Sequence, residues 1–271
     1  MEEIQYVQKG SRNNCLFLIH GFCSGPEDWD GQLNFFKGDL TVIIPTLRGH
    51  DSKNIKNRSM SIEQLSNDCV NILKNKSFNK IVVAGHSMGT RIAIDLANKI
   101  KNVSGLILVD GSKFSSLKTY FKSINEFENL LSQNDYKSIL KNMFSTMFFS
   151  NVHKEHKIRI VKRAIKIPKM YSLPLRRNTI WYDSHCVENN LKNLNLPILI
   201  LQSTKIDKIK GRTRMKKSEF NSYVAFIKKY TKNVKIKLFE NTGHYITIEK
   251  PQVVNQIIED WLNDLKVHFR K

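Results

Sequence analysis

No run of eighteen apolar residues occurs in this chain, so no membrane-spanning helix is expected. Cysteine is scarce: Cys15, Cys23, Cys69 and Cys186 are scattered, with no Cys-x-x-Cys pair. That spacing suggests neither a disulfide framework nor a zinc site, and leaves buried free thiols as the reading of Cys15 in an apolar strand and Cys69 on a helix. The start, Met1-Glu2-Glu3-Ile4, is acidic and carries no hydrophobic signal region, which points to a cytoplasmic location. Acids are also few. Against 44 Lys+Arg stand 24 Asp+Glu, a net charge of +20. Such an excess can mean nucleic acid, an anionic membrane or an acidic substrate. The surplus is chiefly lysine beside abundant asparagine and isoleucine, so compositional drift is the favoured reading. No homeodomain, zinc finger, KH loop or RNA-binding aromatic motif accompanies it, so no specific nucleic-acid partner is expected.

One stretch organises the rest. Ile81-Val82-Val83-Ala84 reads as a buried strand, stops at Gly85-His86-Ser87-Met88-Gly89, and is followed by Thr90 to Ala97 with helical spacing. Strand, sharp turn and helix are the context in which Gly-x-Ser-x-Gly lifts a nucleophilic serine clear of the backbone. Side chains at the flanking glycines would crowd neighbouring backbone. Ser87 is the candidate nucleophile. The N–H of Met88, at the start of the helix, is a candidate donor to a developing oxyanion.

Earlier in the chain, strand Cys15–Ile19 ends in His20-Gly21-Phe22, where the N–H of Phe22 is placed to be the second oxyanion donor. A first edge strand spans Glu3–Gln8. Another strand, Leu40–Ile44, closes in Pro45-Thr46-Leu47-Arg48-Gly49-His50-Asp51-Ser52, read as a structural loop in which Arg48 makes polar contacts and His50 is not the base. Ser61 caps a helix running to about Asn75, with Gln64 three residues on. A helix spans Trp29–Phe36, and Val103–Ser112 is a further buried strand.

From Lys113 to Asn195 the βα alternation lapses into helical pattern, the place for a lid. Phe121, Phe127, Leu131, Met143, Phe144, Met147, Phe148 and Phe149 either line an apolar acyl pocket or pack within the lid. Residues 153–182 hold nine Lys/Arg against Glu155 alone. Lys154–Ile167 reads as a membrane-surface helix or a solvated lid helix. Alternation returns at strand Pro197–Gln202, with Asp207 five residues beyond. A helix Lys216–Tyr230, a strand Val234–Phe239 and a last helix to about Leu265 follow. His244, in the glycine-containing loop after the last strand, completes the order nucleophile, acid, base.

Over essentially its whole length the chain resembles the α/β-hydrolases of the capped, esterase- and lipase-like kind. The matching stretches are His20-Gly21-Phe22, Leu47 to Ser52, Gly85 to Gly89, the strand from Pro197, and Gly243-His244 with Glu249-Lys250-Pro251. The resemblance implies an α/β fold: a mostly parallel eight-stranded sheet with helices on both faces and a helical cap after the sixth strand. The core would comprise 1–112 and 196–271, and the cap 113–195. It further implies Ser87 as nucleophile, His244 as base, Asp207 as the acid that orients the imidazole, and the Phe22 and Met88 N–H groups as the oxyanion hole. The implied reaction cleaves a carboxylic ester with an apolar acyl group through an acyl-enzyme, with no metal or cofactor. Two departures stand out. Asp51 replaces the last glycine of the Arg-Gly-His-Gly loop. The family's Gly-x-x-Asp after the seventh strand is absent, which leaves Asp110 as the rival acid. Dehalogenases and epoxide hydrolases of this fold use an aspartate nucleophile, so Ser87 argues against both. C–C bond, thioester and amide hydrolases stay open, as do a ligand receptor and a basic surface-binding protein with peripheral contact to anionic membrane.

Overall fold

In the computed structural model of the chain, which describes residues 4–51, 59–207 and 211–267, the apolar runs become strands of one sheet. In chain order these are β1 (Tyr6–Lys9), β2 (Asn14–Ile19), β3 (Thr41–Pro45), β4 (Lys80–His86), β5 (Val103–Val109), β6 (Ile198–Gln202) and β9 (Val234–Leu238). The sheet order is β1-β3-β2-β4-β5-β6-β9. Only β1 is antiparallel to its neighbour; every other pairing is parallel. Between β6 and β9 the chain makes a separate hairpin, β7 (Thr204–Asp207) with β8 (Gly211–Arg214). The main sheet therefore has seven strands among the described residues, where eight were expected. The helical insertion follows the fifth strand in chain order, where the expectation put it after the sixth. Glu3 of the expected first strand and Ser52 lie outside the described residues.

The helices are α1 (Asp30–Phe36), α2 (Ile62–Lys74), α3 (Gly89–Ala97), α4 (Tyr120–Gln133), α5 (Tyr136–Ser145), α6 (Lys154–Ala164), α7 (Lys169–His185), α8 (Val187–Lys192), α9 (Ser222–Tyr230), α10 (Ile246–Glu249) and α11 (Pro251–Asp264). Parallel strands bury both faces, and alternate residues divide between two cores. Phe17, Ile19 and Val83 face Leu65, Ile92, Tyr182 and Ile227. Leu16, Leu18, Val82 and Ala84 face Trp29, Phe36, Val254 and Trp261. Five helices, α4 to α8, fill the interval between β5 and β6. Two of them, α7 and α8, add Tyr171, Leu175, Val187 and Leu191 to the first core. A third cluster joins Leu140 and Phe144 of α5 with Ile160 and Ala164 of α6, over Cys23 and Tyr245.

Local signals set several boundaries. The Ser61 side chain accepts the Gln64 N–H at 3.1 Å, the N-cap read from the sequence, while the Gln64 side chain turns to Asp68 instead of closing a capping box. The helix expected from Lys216 begins at Ser222. Asn221 supplies the cap there, accepting the N–H groups of Tyr223 and Val224 at 3.0 and 3.1 Å. Cys15 and Cys69 are buried free thiols. Among the described residues no helix is long and apolar enough to cross a membrane.

Candidate active site

Because β2, β4, β5, β6 and β9 run parallel, the loops after their C-terminal ends emerge along one edge of the sheet, where such folds gather their functional groups. At the centre, β4 ends at His86 and α3 starts at Gly89, leaving one turn between them. Ser87 occupies that turn at φ 55°, left-handed backbone that only tight context sustains. The packing explains both glycines. A Cβ on Gly85 would lie 2.2 Å from the Gly89 carbonyl oxygen, and one on Gly89 would lie 2.6 Å from that of Ile19. The Ser87 N–H donates to Val109 O at 2.9 Å, and its carbonyl accepts from the Thr90 hydroxyl at 2.7 Å.

His244 is held from four sides. Its N–H donates to Met147 O at 2.8 Å, and its carbonyl accepts from His86 Nε2 at 2.9 Å. The preceding Gly243 donates its N–H to Glu249 Oε2 at 3.0 Å and accepts the Ser203 hydroxyl at 2.7 Å. The imidazole then meets a carboxylate. His244 Nδ1 donates to Asp110 Oδ2 at 2.5 Å, and both groups are buried. Asp110 sits just past β5 at φ 42°. Its Oδ1 accepts the N–H groups of Ser203 and Thr204, each at 2.8 Å, and its Oδ2 also receives the Thr204 hydroxyl at 2.5 Å and Arg212 Nη1 at 3.0 Å.

The carboxylate partner of His244 is therefore Asp110, not the expected Asp207. After β6 the chain turns at once into the β7–β8 hairpin, and Asp207 ends β7 opposite Gly211. The hairpin carries Arg212, not Asp207, to the Asp110–His244 pair. The missing Gly-x-x-Asp was the sequence signal for this arrangement.

Electrostatics fit a neutral base beside a charged acid. Burial raises the Asp110 carboxyl, but the hydrogen bond and charge of His244, with Arg212 behind them, hold it at about 2. Burial, then the Arg212 charge, push the His244 imidazole down to about 4 despite Asp110.

Ser87, Met88, Phe22 and His244 all border one cavity of about 390 Å³, within the range of small-molecule sites. Met88 is the N-cap residue of α3, whose first N–H groups have no partner within the helix. The loop bearing Phe22 is braced by two histidines. His50 Nε2 accepts the Cys23 N–H at 3.0 Å while its Nδ1 donates to Arg48 O at 3.0 Å. His20 Nε2 accepts the Leu47 N–H at 3.1 Å while its Nδ1 donates to Gly21 O at 2.9 Å. One nitrogen accepting and one donating define a neutral ring, and burial lowers both pKa values accordingly. Arg48 anchors the second loop by a bidentate pair with buried Asp68 at 2.7 Å. The polar contacts of Arg48 were read from the sequence, whereas the bracing roles of His20, His50, Arg212 and Glu249 were not. The Arg48-Gly49-His50 triplet was the available signal for His50.

The apolar wall comes from the helical insertion and the loop before it: Phe114, Met143, Phe144 and Met147 face the cavity. Others of the expected pocket residues go elsewhere. Phe121 is exposed, Phe148 stacks on Tyr245 at 5.1 Å, and Leu131 packs against the α5–α6 cluster. Phe127 and Phe149 lie beneath the guanidinium groups of Arg176 and Arg214.

Comparison with known proteins agrees with this fold. A family model described as "Alpha/beta hydrolase family" matches residues 16–257. A Mycoplasma genitalium protein named "Putative esterase/lipase 3" is 24% identical over 266 residues, covering 96% of this chain and 90% of that one. Epoxide hydrolase 3 of Xenopus tropicalis is 24% identical over 291 residues, covering 97% of this chain and 76% of its own length. Among solved structures, a thermophilic esterase from Thermogutta terrifontis superposes with a TM-score of 0.77 at 20% identity, covering 98% of this chain and 94% of its own.

Proposed function

The chain belongs to the alpha/beta hydrolase family, and from that premise we propose that it is a serine hydrolase cleaving carboxylic esters of small molecules. The observation that carries this reading is the buried hydrogen bond from His244 Nδ1 to Asp110 Oδ2 at 2.5 Å, in a ring that borders the same cavity as Ser87. With Nδ1 committed to Asp110, the other ring nitrogen is the one left to act as base.

In this reading His244 takes the Ser87 hydroxyl proton as the oxygen attacks the ester carbonyl. The Phe22 and Met88 N–H groups stabilise the tetrahedral oxyanion, each worth roughly 3–4 kcal/mol in the barrier. The imidazolium, stabilised by Asp110, returns its proton to the departing alcohol, leaving the acyl group on Ser87. Water activated by His244 then releases the acid. Residues 113–195 act as a cap whose apolar wall receives the acyl chain. A serine at the elbow, in place of an aspartate, supports acyl transfer over epoxide opening although epoxide hydrolases are among the relatives. The helix α6 supports the solvated reading of the basic stretch, because Ile160 and Ala164 are buried and Arg163 is spent on Glu27 and Asp28.

The test is turnover of an ester panel of graded acyl length. Wild type should turn over, Ser87→Ala should not, Asp110→Asn should lose about 10⁴-fold, and Asp207→Asn should change the rate only slightly. Turnover surviving in Ser87→Ala would end the proposal.

A further inference from the structure

Three arginines, Arg91, Arg176 and Arg212, border the cavity beside Ser87, and among the described residues no acidic side chain does. Two of them have carboxylates behind the wall. Arg212 donates to Asp110. Arg91 donates through Nε and Nη2 to the two oxygens of Asp183, at 2.7 Å each. Asp183 is engaged further, since its Oδ2 also accepts the Phe114 N–H at 2.7 Å.

Arg176, on α7, is left over. It is partly buried, and its guanidinium carbon lies over the Phe114 ring, 4.0 Å from the ring centre. Its guanidinium lies over the rings of Phe114 and Phe127, and among the described residues it makes no ion pair or hydrogen bond. Of the undescribed residues, 52–58 and 208–210 contain no acidic side chain, and Glu2 and Glu3 stand at the start of the chain. A second donor is also unused: Arg91 Nη1 is buried without a hydrogen-bond partner. Burial and the neighbouring Arg91 charge bring the Arg176 pKa down to about 10, with Asp183 opposing the fall from a distance, so it stays charged at neutral pH without a carboxylate paired to it directly.

A guanidinium kept out of bulk water without an anion is costly, whereas a bidentate carboxylate satisfies it. We infer that the substrate is an anionic ester, carrying a carboxylate that Arg176 binds at the cavity wall while its aliphatic part lies against Phe114, Met143 and Phe144. This rests on the hydrolase reading above and adds the substrate class. The carboxylate can sit on the acyl or the alcohol side of the ester, and the test separates the two.

Two matched pairs serve: monoethyl glutarate against ethyl hexanoate for the acyl side, and 4-acetoxybutanoate against pentyl acetate for the alcohol side. The quantity read is the ratio of kcat/KM for the anionic ester to its neutral match, in wild type and in Arg176→Gln and Arg176→Lys. Intrinsic ester reactivity cancels when ratios are compared between proteins. For one pair the ratio should fall about 10-fold or more in Arg176→Gln, the scale of a charge-assisted hydrogen bond, and recover in part in Arg176→Lys. A merely structural role would lower both members of a pair together and leave the ratio unmoved, which overturns the inference.

Calorimetric titration of the same two anionic esters into Ser87→Ala protein reads recognition without turnover. At least one should bind, about 10-fold or more tighter than to Ser87→Ala/Arg176→Gln. Equal binding to both proteins, or no binding to either, overturns the inference. Selective binding without turnover by wild type would instead overturn the hydrolase reading alone.

Discussion

At the scale of single residues, the decisive feature is that one carboxylate oxygen, Asp110 Oδ2, serves both His244 and Arg212. Arg212 helps keep Asp110 ionised, but it also opposes protonation of the imidazole. A base is active when neutral, so activity falls as pH drops through the His244 pKa, which burial and then Arg212 place below the ordinary 6.5. Arg212→Gln removes one of the two depressing influences. The acid limb of kcat/KM in that variant should therefore move to higher pH than in wild type, and a pH–rate profile of the two proteins reads the shift directly. An unmoved limb would deny Arg212 this role. At the same scale, Ser87 and His244 were legible because their motifs are local. Asp110 was not singled out, because the choice between two acids depends on how the chain leaves β6. Ser203 and Thr204, whose backbone N–H groups fix Asp110, carry no such mark in the sequence.

At the scale of elements, the elbow stores strain that only its function requires. A non-glycine residue in left-handed backbone costs about 1–3 kcal/mol, whereas introducing glycine costs about 0.4–1 kcal/mol through the unfolded chain. The first term is larger at Ser87, with φ 55°. Ser87→Gly should thus be inactive yet more stable than wild type by about 1 kcal/mol, read as a higher urea midpoint. A lower midpoint would show that the turn is not strained. Helix α6 offers the opposite case. Arg163 pairs with Asp28, which is 2% exposed, at 2.6 Å, and with the more open Glu27. The Asp28 contact dominates, since removing one partner of a buried pair costs about 3–5 kcal/mol and an exposed one little. Arg163→Ala should lose about 3 kcal/mol, the lower end because Arg163 is partly exposed; a loss below about 1 kcal/mol would mean that α6 is held by its apolar contacts alone. The periodic elements, β2, β4, β5, β6 and α2, were legible from the apolar pattern. The β7–β8 hairpin was not. Its strands are four residues long, and Lys205, Asp207, Arg212 and Arg214 leave no apolar alternation to read.

At the scale of the whole molecule, parallel order gathers the loops of five strands at one edge, so residues 157 positions apart, Ser87 and His244, border one cavity. That convergence followed from the family resemblance, not from any local pattern. The division of labour inside the helical segment did not follow, because α7 and α8 add to the main core, α7 also bringing Arg176 to the cavity, while α5 and α6 pack together over Cys23 and Tyr245. The net charge of +20 acts at this scale too. A net positive field attracts anions and is screened within about 3 Å at 1 M salt, against 30 Å at 0.01 M. Raising salt across that range should lower kcat/KM for whichever anionic ester is preferred and leave its neutral match nearly flat. Parallel salt responses would show the charge to be irrelevant to substrate capture.

The central claim, that Ser87 is the nucleophile driven by His244 and Asp110, is tested most directly by covalent labelling with a fluorophosphonate and peptide mass spectrometry. The account predicts one adduct, on Ser87, absent in Ser87→Ala and formed far more slowly in His244→Ala and Asp110→Asn than in wild type or Asp207→Asn. An adduct on another residue, or labelling of Ser87 that is indifferent to His244, would contradict it.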